Sequence, residues 1–229
     1  MMHLSHVYRW SSRGKPASAM KTPRTAAIAG IVFSSLFTIS MLLVWISIPA
    51  DPIGPATNVM NHIKTISFSL DLLPFAGIAF LWFIAVVRDR LGELEDRFFA
   101  TVFLGSGLLF IAMLFNAAAV AGGLIGILGK GSENLIQSGT YALSRAEIQQ
   151  TMNIYAMKMA GVFMISTSTI SLQIQCFPRW ITFLGYVLAL ILLLSIGTIQ
   201  WIPLAFPLWV LLISLYILAE NLGQSEVAA

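Results

Sequence analysis

Residues 98–125 read FFATVFLGSGLLFIAMLFNAAAVAGGLI, and no Asp, Glu, Lys, Arg or His interrupts them. A helix needs about 20 apolar residues to cross the hydrocarbon core of a bilayer. A helix on a soluble domain keeps one polar face, whereas this one is apolar on every side, so lipid is its solvent. Charged or polar segments bound it on both sides. RDRLGELEDR at 88–97 precedes it, and GKGSENLIQSGTYAL at 129–143 follows it.

The rest of the chain repeats the pattern. Hydrophobic residues make up 58% and charged residues 10%, with a mean hydropathy of +0.85. A soluble domain carries about 25% charged residues, so too little polar surface exists to hold this chain in water. The sequence predicts an all-α, polytopic bundle of about six spans. They cover about 26–49, 67–87, 98–125, 145–176, 180–196 and 201–219, and the transmembrane domain as a whole runs over 26–221. A basic tail at 1–25 precedes it and a short tail at 222–229 follows.

The first span is too long for the apolar core of a signal peptide, which is about 7–15 residues, and reads as retained. Met20, opening MKTPRTAAIAG, is a second possible start. Gly30, Ser34 and Thr38 recur every four residues and mark a face that another helix can approach closely. Thr57–Thr65 reads as an interfacial helix, and Pro74 falls early in the second span. Ser144 with Glu147 fits a capping box, placing the start of the fourth span near Arg145. From there to Cys176 a helix would be roughly 48 Å long, so its first turns should stand outside the membrane. Residues 180–219 read as one helix would be twice the core thickness, so two spans joined near Gly197 fit better.

Orientation follows from the positive charges, which favour the cytoplasmic side. Placing the N-terminus inside gathers Arg9, Arg13, Lys15, Lys21, Arg24, Arg88, Arg90, Arg97 and Arg179 there. Only Lys64, Lys130 and Arg145 fall outside. Both termini are therefore expected in the cytoplasm. The net charge of +3 reflects this bias, and no basic stripe interleaved with aromatics suggests nucleic acid. Compact loops and the lack of an organelle signal point to a bacterial plasma membrane.

Polar groups at membrane depth are costly and are functional candidates by default. Asp71, Asn116 and Lys158 qualify, all toward the outer leaflet. The reading pairs Asp71 with Lys158, with Asn116 adding hydrogen bonds, as a binding cluster for a polar solute or ion. Lys158 shares a helix face with Tyr155, Gly161, Thr169 and Gln173, a possible polar seam. Each residue also has a structural reading. Asp71 is a first-turn acid favoured by the helix dipole. Lys158 snorkels toward headgroups. Asn116 is glue on a small-residue face formed with Gly105, Ala112, Ala119 and Gly123.

Ser166, Thr167, Ser168, Thr169 and Ser171 make the fourth span hydroxyl-rich; their expected partners are carbonyls one turn back. Ser106, flanked by Gly105 and Gly107, has no base beside it and reads as packing. Cys176, the single cysteine, falls at the inner interface. His3, His6 and His62 lie outside the apolar runs, and no H-E-x-x-H, phosphate loop or C-x-x-C occurs. No cofactor or metal site is expected. The first reading is a non-catalytic accessory, scaffold or sensor component, with the bilayer and a membrane protein or second copy as partners. The alternative is a small channel or transporter using Asp71, Asn116, Lys158 and Tyr155. An enzyme ranks last, because the embedded acids are too few.

Overall fold

The computed structural model describes residues 22–47, 62–91, 97–129, 139–195 and 201–227. All of them lie in helices or short connections, with no strand among them. The helices are α1 (Thr22–Ser47), α2 (Ile63–Leu91), α3 (Arg97–Leu128) and α4 (Gly139–Gln150). A π-helical segment, Thr151–Ala156, leads into α5 (Met157–Ile174). Then come α6 (Arg179–Leu194), a 3-10 turn at Ile202–Leu204 and α7 (Ala205–Val227). The tail up to Lys21, most of the expected interfacial helix and the turn around Gly197 lie outside the described residues.

Four stretches are long and apolar enough to cross a membrane: Ala27–Ser47, Ile63–Arg88, Phe98–Leu128 and Ile202–Glu220. The fourth and fifth expected spans do not reach that standard by themselves. α6 is apolar but has only 16 residues. At 1.5 Å per residue that is about 24 Å, short of a hydrocarbon core of about 30 Å. α5 carries Lys158 and the hydroxyl cluster.

Neighbouring helices run antiparallel, as their contacts show. Between α1 and α2, Gly30 faces Phe83, while further along the Ser40 hydroxyl donates to the Ser69 carbonyl at 2.8 Å and the Ser69 hydroxyl donates back to the Ser40 carbonyl at 3.2 Å. Between α2 and α3, Gly77 faces Phe115 and Ile84 faces Gly107, so rising numbers on one helix meet falling numbers on the other. Between α1 and the α7 end of the chain, Gly30 faces Ser214 while Trp45 meets Trp201 at 5.0 Å between ring centroids. Between α5 and α6, Ser171 meets Thr182 at 3.2 Å and Lys158 meets Leu193.

The centre of the bundle is phenylalanine. Phe33 and Phe37 from α1, Phe80 and Phe83 from α2, Phe103 and Phe110 from α3, Phe163 from α5 and Phe206 from α7 are all fully buried. Phe80 lies 4.6 Å from Phe33, 5.3 Å from Phe110, 5.2 Å from Phe163 and 5.5 Å from Phe206, by ring centroids. Its contacts with Phe110 and Phe206 are edge-to-face, the arrangement that aligns a ring's positive edge with a negative face. In lipid, burial away from water drives no helix association, so this dense ring packing is what sets one helix against another.

Close approach depends on small residues. Gly30 and Ser34 are buried as the sequence suggests, with Thr38 half-buried. A side chain at Gly30 would collide with Ser214 of α7 and Phe83 of α2. Gly185 does the same for α6, where a methyl would meet Ser168 of α5 and the Trp209 indole nitrogen of α7.

The expected capping box is not used. Helix begins at Gly139, so Ser144 lies inside α4 rather than at its cap. From Gly139 to Ile174 the backbone is helical throughout, in segments of 12, 6 and 18 residues. That makes about 54 Å at 1.5 Å per residue. α4 is the polar part of this long helix and buries no residue.

Removing the central ring should be far more costly than removing an outward one. Phe80→Ala is expected to lose about 3–5 kcal/mol of stability. Phe75→Ala, at a side chain 62% exposed, should change it by about 0.5 kcal/mol or less. Unfolding titrations in mixed detergent check this; equal losses would refute the central role of the rings.

Candidate functional site

The polar residues singled out in the sequence lie on separate helical segments. On α2, Asp71 is exposed and sits one turn from Phe68 and one from Phe75, which are 58% and 62% exposed. Around the carboxylate the face is apolar toward Phe75, with the exposed Lys64 two turns before it on the same side. On α3, Asn116 is exposed on a stripe with Ala112, Ala119, Gly123 and Gly126, also exposed. Their spacing of four and three residues keeps them on one side of the helix. Nothing among the described residues comes within 4 Å of a methyl placed at Gly105, Gly122, Gly123 or Gly126. The small-residue face expected to hold another helix is therefore present but bare within the described chain.

Lys158 turns to α6. Its ammonium donates to the Leu193 carbonyl at 3.5 Å. Leu193 lies in the last turn of α6, where carbonyls lack an intrahelical donor and the helix dipole favours a cation. The contact is long, so charge and dipole carry more of it than hydrogen-bond geometry does. α2 packs on α1 and α3, while α5 packs on α3 and α6. Lys158 thus contacts the end of α6, whereas Asp71 is exposed on α2.

Tyr155 is 59% exposed in the π-helical segment. A π turn holds more residues per turn than an α turn, so the inward face shifts across it. Ala156 is buried in the place a continuous α-helix would give to Tyr155.

Three of the five hydroxyls in the α5 stretch bond as expected, while the Ser168 hydroxyl is buried with no hydrogen-bond partner among the described residues. Ser166, Thr167 and Thr169 donate to the carbonyls of Val162, Phe163 and Ile165, each four residues back. Two of the group also reach α6: Thr169 meets the Tyr186 hydroxyl at 2.7 Å, and Ser171 meets Thr182. These contacts tie two helices together and form no path along the bundle. Ser106 donates to the Phe103 carbonyl at 3.1 Å, a local packing bond.

Comparison with protein-family models, curated proteins and solved structures finds no match. The functional reading therefore rests on this chain's own geometry. Among the described residues no group of three His, Cys, Asp or Glu side chains could hold a metal ion.

The paired serines Ser40 and Ser69 went unremarked in the sequence, as did an inward-facing row on α4 at Tyr141, Arg145 and Ile148. The second has a sequence signal, since three-to-four spacing continues to Met152.

If Lys158 serves α6, its loss and the loss of Asp71 are independent. Asp71→Asn and Lys158→Met should add to within about 0.5 kcal/mol in a double-mutant cycle read by unfolding titration. A coupling energy above about 1 kcal/mol would instead establish the pair that the sequence suggested.

Proposed function

We propose that this protein is a six-span membrane protein with both termini in the cytoplasm, acting as a non-catalytic accessory or scaffold component. It meets a membrane protein partner through the outward faces of α2 and α3, which carry Asp71 and Asn116. The antiparallel order of neighbouring helices supports six crossings, with α6 and the long α4–α5 helix completed by their fit to the bundle. The bias of Lys and Arg toward the N-terminal side supports the orientation. A bacterial plasma membrane is the setting that suits the compact loops.

One observation carries the functional reading. The centre of the bundle is filled by phenyl rings, while Asp71 and Asn116 stand on its outside. A carboxylate or amide facing hydrocarbon is costly, and a second helix with a donor or acceptor relieves that cost. Small residues around Asn116 let such a helix come close.

The test is a native mass spectrum of the protein extracted from its host directly into nanodiscs. The expected result is one protein partner at fixed stoichiometry, lost in an Asp71→Leu, Asn116→Leu double variant that remains folded. A lone monomer or homo-oligomer, together with solute flux in liposomes that Asp71→Asn abolishes, would overturn the reading in favour of a transporter.

A further inference from the structure

At the end of the bundle where α1 finishes and α2 begins, the rings give way to smaller side chains and a cavity opens. Its volume is about 130 Å³ and it is open on one side. Val44 of α1, Leu70 of α2 and Ala121 of α3 wall it, with Met152 of the π-helical segment. Ala117 and Ala118 of α3 leave the room that larger residues would fill. α4 lies along the end of α3 and brings Tyr141 and Arg145 to the rim.

We propose that this cavity seats part of one acyl chain of an anionic phospholipid, with the lipid phosphate held by Arg145 and the Tyr141 hydroxyl. The lining, the volume and the polar residues beside it support this. The lining is apolar, so an unoccupied space there would stay dry and would favour a hydrocarbon guest over water. The volume is close to that of cavities that take a benzene-sized guest, which matches a segment of a few methylenes and not a whole chain. The remainder of the chain leaves through the open side into the bilayer.

The rim supplies the complementary chemistry. α4 is mostly polar and is the part of the long helix that suits the headgroup region rather than hydrocarbon. Arg145 is half-buried and is one of the residues that line the cavity, whereas Ala146 and Glu147 are exposed. A guanidinium offers five donors in a planar fork, so it can hold a phosphate while keeping a contact within the protein. Tyr141 is also half-buried and packs against the Ile66, Ile125 and Leu128 cluster, which fixes its ring at the rim. An amphiphile with an apolar tail and a phosphate fits both halves of the site. A zwitterionic lipid has the same tail but carries a cation beside its phosphate, which weakens its preference for an arginine.

The test uses the full chain, delipidated in detergent and titrated with dioleoyl phosphatidylglycerol or dioleoyl phosphatidylcholine under native mass spectrometry. The expected result is one bound phosphatidylglycerol, about fivefold tighter than phosphatidylcholine, from the charge of a single arginine near the headgroup. Ala121→Phe should abolish that adduct by filling the cavity. Ala118→Leu, a smaller intrusion, should weaken it and serves if the larger side chain prevents folding. Arg145→Gln should bring the two lipids to equal affinity. Equal binding of the two lipids by the unaltered protein would overturn the proposal. So would an adduct that survives in a folded Ala121→Phe or Ala118→Leu variant unchanged.

Discussion

The packing of Phe80 against Phe33, Phe110, Phe163 and Phe206 is the constraint from which the rest of the bundle follows. It joins five helices at one place, and it fixes the rotation of each about its own axis. At 100° per residue, Asp71 is about 180° from Phe80 on α2. Asn116 is about 120° from Phe110 on α3, and Lys158 about 140° from Phe163 on α5. Once the rings point inward, none of the three polar side chains can point to the centre. The polar exterior is thus a consequence of the aromatic interior.

The same constraint explains why the helical class was legible while the direction of each side chain was not. Uninterrupted runs such as 98–125 identify helices in lipid by length and composition alone. Inward and outward faces are a different matter. In water a polar face marks the outside, but here Phe68, Phe75, Trp82 and Phe183 on the exterior are as apolar as the core. Periodicity carried no sign to say which side was which, so grouping Asp71, Asn116 and Lys158 by depth was possible and grouping them by direction was not. The π-helical segment added a second obstacle. It shifts the inward face between α4 and α5, and the alignment of Tyr155 with Lys158 assumed an unbroken α-helix. Local rules fared unevenly. Three hydroxyls on α5, those of Ser166, Thr167 and Thr169, bond to the preceding turn as expected, whereas Ser144 and Glu147 match a capping pattern in the middle of a helix.

Where the rings end, the packing changes character. Ser40 and Ser69 clasp α1 to α2, each hydroxyl donating to the other's carbonyl, and the alanines of α3 leave the space beside α4. Tight aromatic packing at the centre and looser packing at one end divide the molecule into a closed core and an accessible rim. The proposed scaffold, binding a partner along α2 and α3 and a lipid under α4, would use both. A conducting path would need the reverse, with polar groups inside and the rings displaced.

The most direct test of the closed centre is magnetisation transfer from water to phenylalanine rings, measured by NMR on ring-labelled protein in lipid nanodiscs. The account predicts no transfer to Phe33, Phe80, Phe110, Phe163 or Phe206, and strong broadening by a lipid-borne spin label only at outward rings such as Phe68, Phe75 and Phe183. Transfer from water to Phe80 and Phe206 would show a hydrated interior and contradict it.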